Sequence, residues 1–256
     1  MSGRARRNLG RAVVALVIAG VVWWALRGSE FDAARLTEGL GRARQYLGQM
    51  FPPDWSVLGK AGRAVVVTLQ MAIVGTVLGA AGALPVSFLA ARTPALPRAF
   101  SSAVKTLLNV LRAVPPLIYA LLFVYMVGLG PFPGALGIAV GSFVMLAKLF
   151  AEALESVHPA PVEAVKAVGG DPAQVFAYGM LPQALPLFVS QTLYAWELNI
   201  GAATILGVVG AGGIGFELVA AINYFQWPQV CTYVLVLVAM VLVADAVSYH
   251  LRKRYT

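Results

Sequence analysis

Glu163-Ala164-Val165-Lys166-Ala167-Val168-Gly169, followed further on by Leu181-Pro182, lies in a charged segment (152–182) between long apolar runs. Pro159 and Pro161 precede it and Gly169-Gly170-Asp171-Pro172 follows it. Glycine after a helix supplies the left-handed conformation that stops it. Asp171 or Pro172 then starts the next helix. The pattern predicts helix, sharp turn, helix, and then a new apolar run at Leu181-Pro182. An ordinary connecting loop is the alternative, but most loops are shorter than this. A two-helix elbow held between apolar segments moves with them. That is what transmitting force from a cytoplasmic motor to a membrane path requires.

The rest of the chain gives the elbow its setting. Of 256 residues, 59% are hydrophobic and 12% charged, against about 25% charged in soluble domains. Such a chain cannot cover itself with polar surface. The runs 64–91, 113–147, 198–216 and 218–244 contain no Asp, Glu, Lys or Arg, and a spanning helix needs about 20 such residues. The expected fold is therefore all-α, a polytopic bundle of about six spans. The net charge of +8 does not indicate nucleic acid, because the basic residues flank apolar runs and form no single face. Cys231 is the only cysteine, which excludes an internal disulfide and a thiolate metal site.

The spans are expected at Ala12–Leu26, Thr68–Ala91, Leu107–Val127, Ala135–Phe150, Leu185–Val209 and Gln229–Tyr249. Arg4, Arg6, Arg7 and Arg11 precede the first, and Trp23-Trp24 suits an interface better than a cleavage site, so this span is read as retained. Residues 28–63 read as an external segment with Leu36, Leu40, Leu47 and Met50 on one stripe. The expected organisation is 1–63 as first span plus amphipathic segment and 64–256 as the transmembrane domain. Gly75 and Gly79 have the spacing of close helix approach. Arg92–Lys105, with Pro94 and Pro97, reads as a basic turn, and Pro131-Phe132-Pro133-Gly134 as a tight one. Lys and Arg collect at the N-terminus, in 92–105, in 148–166 and at Arg252-Lys253-Arg254, which places both termini in the cytoplasm.

Glu163-Ala164, Gly169 and Leu181-Pro182 resemble the EAA loop of ABC-importer permeases. The stretches 164–170, Tyr178-Gly179-Met180-Leu181-Pro182-Gln183, 193–200 and 203–215 are similar to the permease subunit of phosphonate importers. At the position where that group usually carries a basic residue, this chain has Gly201. The resemblance implies a type I importer permease in the cytoplasmic (inner) membrane, working as a homodimer with two ATP-binding cassette subunits and an extracytoplasmic substrate-binding protein. ATP and Mg would be bound by the partner ATPase, with no cofactor on this chain. It also implies that Glu163, Ala164, Lys166, Gly169, Gly170, Leu181 and Pro182 couple to the cassette, and that phosphonate, phosphite or a phosphate-like oxyanion is moved. Another ABC solute such as an amino acid, an ion-coupled carrier, and a non-transporting scaffold are the alternatives.

Gly210-Ala211-Gly212-Gly213-Ile214-Gly215 satisfies the dinucleotide pattern but sits between apolar spans, with Val and Leu and no acidic residue about twenty positions on. Gly210, Gly212, Gly213 and Gly215 are expected instead in a flexible, close-packed outer turn. No phosphate-binding loop occurs, so the chain is not its own ATPase by this route and a separate energy source is needed. Trp196, Glu197 and Asn199 in the fifth span and Arg112 in the third are the candidate path residues, because polar groups inside a membrane usually face a partner or a wet cavity. Asp245 is expected to pair with Arg252 or another basic side chain. No nucleophile, paired carboxylate or metal-ligand spacing points to catalysis, and His158 and His250 read as ordinary interfacial residues.

Overall fold

The computed structural model describes residues 3–29, 32–91 and 97–255, the side chains of 3–10, 12, 33, 36, 254 and 255 excepted. Arg92 and Pro94, and the side chains of Arg4, Arg6, Arg7, Leu36 and Arg254, therefore lie outside the described residues. Every described regular element is helical. The chain divides into two compact units, Met1–Gln49 and Met50–Thr256, so residues 50–63 pack with the larger unit.

The smaller unit holds α1 (Gly3–Gly28) and α2 (Ala33–Gln49). Asp32 starts α2, its Oδ1 accepting from the Ala34 backbone N–H at 2.8 Å. Arg42 and Glu38 pair one turn apart at 3.3 Å, while Leu40 and Leu47 are exposed together on another face.

The larger unit runs α3 (Leu58–Ala90), α4 (Arg98–Arg112), α5 (Pro116–Val127), α6 (Pro131–Glu155), α7 (Pro159–Ala167), the single turn α8 (Pro172–Gln174), α9 (Leu181–Leu206), α10 (Gly213–Asn223) and α11 (Trp227–Tyr255). Four segments are long and apolar enough to cross a membrane: Trp55–Ala90, Pro131–Glu155, Pro172–Ala211 and Trp227–Lys253. The bent pair α4 and α5 makes a fifth if it counts as one span, and the apolar part of α1, Val13–Gly28, is shorter. The sequence reading expected about six spans; among the described residues four qualify by length and composition, five with the bent pair, and the first expected span, Ala12–Leu26, falls on the shorter apolar stretch Val13–Gly28.

Three local expectations are corrected. The third span is not one helix; it breaks at 113–115 with a 76° bend. Pro115 and Pro116 cause the break, since neither has an N–H to donate and each disfavours helix in the residue before it. The described part of the basic turn, from Arg98 onward, is helical and opens α4. Pro131–Gly134 is the first turn of α6, where proline is tolerated; the reversal itself uses Gly128 and Gly130.

α6 is the central helix. Apolar burial gives little net drive between helices in lipid, so close packing must serve instead. Glycines on each contact surface allow it. A Cβ on Gly75 would lie 2.5 Å from Ile138 Cγ2, and one on Gly79 2.5 Å from Ser142 Cβ. On the opposite side of α6, a Cβ on Gly137 would lie 2.6 Å from Ala120 Cβ of α5. Phe150 and Phe188 close the core where α6 meets α9, with ring centroids 4.4 Å apart. The start of the larger unit is tied to α11. Thr232 Oγ1 donates to the Asp54 carbonyl at 2.8 Å, and the Asp54 N–H donates to the Pro228 carbonyl at 3.2 Å. Hydrogen bonds from the Ser56 side chain and backbone hold the Asp54 carboxyl below the ordinary carboxylate range.

Candidate functional site: a docking elbow and a polar path

The elbow has the geometry its residues predict. His158 caps α7, its Nδ1 accepting from the Ala160 N–H at 3.2 Å. The helix stops in a Schellman turn: the Gly170 N–H donates to the Val165 carbonyl at 3.0 Å and the Gly169 N–H to the Lys166 carbonyl at 3.0 Å. Gly169 has φ +83°, the left-handed region. Asp171 then opens α8 with a capping box, its Oδ1 accepting from the Gln174 N–H at 2.8 Å while Gln174 Oε1 accepts from the Asp171 N–H at 3.0 Å.

The elbow is clamped to the base of α9. Gln183 Oε1 accepts from the His158 N–H at 3.0 Å, and Gln183 Nε2 donates to the Gly179 carbonyl at 2.6 Å and to the His158 carbonyl at 3.3 Å. Gly179 lies in a π-helical turn, Val175–Met180, and a Cβ there would lie 3.1 Å from Val162 Cα. Val162 and Val165 face inward, whereas Glu163, Ala164, Lys166, Gly169 and Pro182 are exposed. Gly170 and Leu181 are half-buried. The coupling set named from the sequence thus falls into an outward ridge and its supports. His158 and Gln183 were missed as supports. His158 read as an ordinary interfacial residue, and nothing local reveals a partner 25 residues away.

The path candidates separate. Asn199 Nδ2 donates to Thr76 Oγ1 at 2.8 Å and to Ser142 Oγ at 2.7 Å, joining α9, α3 and α6 beside the Gly79 contact. Trp196 is half-buried, and its Nε1–H has no acceptor among the described residues. Glu197 Oε2 accepts from Arg252 Nη2 at 2.7 Å. Arg252 therefore meets Glu197, where the sequence reading gave it to Asp245, which is exposed. The spacing of 245 and 252 on one helix suggested that pair, and only the packing of α11 on α9 offers the other. Arg112 stands in the last turn of α4 and touches none of these three.

The glycine-rich turn is close-packed, as expected. Gly210, Gly212 and Gly213 have φ of +93°, +81° and +73°, and the Ile214 N–H donates to Thr68 Oγ1 of α3 at 2.9 Å. A Cβ on Gly215 would overlap the Thr204 carbonyl oxygen. The turn folds α10 back onto α9 and α3. Among the described residues, no three His, Cys, Asp or Glu side chains gather into a metal-binding group.

Replacing Asn199 with Leu removes two interhelical bonds and leaves two hydroxyls without that donor. At about 0.6 kcal/mol for a typical bond in a bundle, a loss of about 1–2 kcal/mol is expected, read as a lower thermal midpoint in detergent.

The family model described as "Binding-protein-dependent transport system inner membrane component" matches residues 83–256. The chain is 40% identical over 249 residues to the phosphite transport system permease protein PtxC of Stutzerimonas stutzeri, covering 97% of this chain and 90% of that one. It is 37% identical over 207 residues to the phosphate-import permease protein PhnE of Mycolicibacterium smegmatis, covering 80% of this chain and 39% of that one. Among solved structures, an inward-facing MetNI methionine ABC transporter matches at TM-score 0.71 and 23% identity, covering 79% of this chain and 99% of that chain, a likeness of fold. The helical bundle, its polar elbow and these matches converge: the chain belongs to the binding-protein-dependent transport system inner membrane components, and is a multi-pass ABC permease, a transport component rather than an enzyme.

Proposed function

We propose that this chain is the permease of an importer for a small phosphorus oxyanion (phosphonate, phosphite or a phosphate-like ion), with its elbow seated in a cassette ATPase on the cytoplasmic side. The observation that carries this is the exposed ridge Glu163–Gly169, rigidly capped at both ends and clamped to α9 through Gln183. A push on that ridge reaches the span holding Glu197 and Asn199 without a flexible joint. ATP and Mg bind the partner; cassette closure rocks the spans outward-open, and hydrolysis resets them. Relatives named for phosphite and phosphate support the substrate class.

A second copy completes the path in this reading. Leu187, Tyr194, Leu198 and Ile205 are exposed on α9 at successive spacings of seven, four and seven, the seam of a helix-to-helix contact. Both termini lie in the cytoplasm and a secreted binding protein delivers the solute to the outer turn.

The test is reconstitution with the cassette and the binding protein. Uptake of labelled phosphite or a phosphonate that needs both ATP and the binding protein is expected. Uptake driven by a proton or sodium gradient alone overturns the coupling, and ATP-driven uptake of an amino acid instead overturns the substrate.

Glu163 makes no hydrogen bond or ion pair among the described residues, so its carboxylate is available to a partner. Glu163→Ala is expected to lower cassette recovery in co-purification several-fold. Thermal stability of the chain should shift by less than about 0.5 kcal/mol, as for an exposed site.

A further inference from the structure

The break between α4 and α5 lies near the middle of a span, not at its edge. Pro116 packs on Gly141 of α6 (a Cβ there would lie 2.9 Å from Pro116 Cγ), and Gly141 is close to the centre of Pro131–Glu155. Tyr119 holds the corner, its hydroxyl donating to the Leu111 carbonyl at 2.8 Å. Interrupted backbone at membrane depth persists only inside protein or along a water-filled cavity. In transporters, such interruptions gather where the cargo passes.

Charge collects beside this break. Lys148 is half-buried on α6, and its Nζ donates to Asn109 Oδ1 of α4 at 3.4 Å. An amide oxygen does not neutralise an ammonium. No carboxylate lies within ion-pairing distance of Lys148 among the described residues; Glu152, one turn on, is exposed and forms no such pair. Arg112 follows Asn109 by three positions, so the two share a face of α4. Arg112 is exposed and also lacks an ion pair among the described residues. Lys105, on the same face one turn before Asn109, is already matched by Glu155 at 2.7 Å. The pattern therefore leaves two uncompensated cations and one amide next to the break. Lys148 is half-buried on α6, the most buried of the spans, and its bond to Asn109 is itself open to solvent, so an ion can reach it.

We infer that Lys148, Arg112 and Asn109 form a station for a tetrahedral phosphorus oxyanion at the broken span. The two cations supply the missing counter-charge, and the Asn109 amide, released from Lys148, donates to an anion oxygen. This deepens the proposed function and rests on it for the identity of the cargo. The same chemistry would also receive a phospholipid headgroup phosphate, and the experiment separates the two sources.

The purified full-length chain is placed in nanodiscs of zwitterionic phosphatidylcholine and titrated with inorganic phosphate or phosphite at constant ionic strength. A rise in thermal midpoint is expected with either anion and not with chloride. Lys148→Gln and Arg112→Gln should each weaken the response about tenfold, the loss expected for one charge-assisted contact, and Lys148→Arg should retain it. Phosphatidylglycerol nanodiscs form the second arm. A midpoint already raised by that lipid, through the same two side chains and with no further response to phosphate, assigns the station to a headgroup. A response to neither source, or one unaffected by both substitutions, overturns the station. Import of some other solute, measured separately, overturns the proposed cargo and leaves this binding result as read.

Discussion

Gly169→Val is expected to abolish solute uptake while the assembled complex continues to hydrolyse ATP. The reason is backbone conformation and not space. At φ +83° a β-branched residue is strained, yet a Cβ there would meet nothing within 4 Å. Left-handed strain costs about 1–3 kcal/mol, and every 1.4 kcal/mol is tenfold in population. The bend would be depopulated by roughly tenfold to a hundredfold. Its loss releases the two backbone bonds to Val165 and Lys166, so α7 no longer ends where α8 begins. A motor can still turn over against such a ridge, but its stroke does not reach α9. Gly169→Asn is the control, because asparagine tolerates this region and finds the same open space. It should keep most of the uptake. The measurement is uptake against ATP hydrolysis in the same proteoliposomes; equal coupling in the valine variant would remove the elbow from the mechanism.

Gly215→Ala has the other large effect, and it acts on folding. Here the obstacle is backbone against backbone. A Cβ on Gly215 falls on the Thr204 carbonyl oxygen, and one on Gly207 would lie 2.7 Å from the Gly212 carbonyl oxygen and from the Phe216 nitrogen. No side chain can swing aside. Overpacking usually costs about 1–3 kcal/mol when neighbours can relax, and a rigid corner exceeds that range. The expected result is loss of most folded protein from the membrane fraction, or a midpoint lowered by 10 °C or more, about 2–4 °C per kcal/mol being usual for a chain of this size. Gly201→Ala is the matched control. Gly201 is exposed in α9 with nothing within 4 Å, so a methyl group there should leave stability unchanged or raise it by up to about 1 kcal/mol. Equal damage from both substitutions would mean that close packing at the outer corner is not what holds α10.

Both predictions depend on glycine, yet the sequence announced them unequally. Gly169 was legible because a stop signal is local: a glycine after a short helix, then Asp171-Pro172, spells the end of one helix and the start of another. Gly215 was legible only as part of a glycine-rich turn, since the carbonyl it presses on belongs to another helix. The same division runs through the path. Asn199 and Glu197 stood out because polar groups in an apolar run are few, but their partners Thr76, Ser142 and Arg252 are far away in the chain. The Glu197–Arg252 pair was missed for that reason. Spacing along one helix gave a plausible neighbour, while helix packing supplied a different one.

What the amino-acid sequence determined by itself was the solvent and the punctuation. Long uncharged runs can be satisfied only in lipid and only as helices, because each backbone polar group must find its bond within its own segment. Prolines and glycines mark where helices stop, and Asp171-Pro172 marks where the next one starts. The tertiary structure alone decided that a span expected to be straight is broken at its middle, that the elbow is bolted to α9 by Gln183, and that Lys148 faces an amide instead of a carboxylate. Those outcomes depend on which helix faces lie against one another, and in a bundle where apolar burial scarcely discriminates between faces, close contacts between small residues and a few hydrogen bonds make that choice.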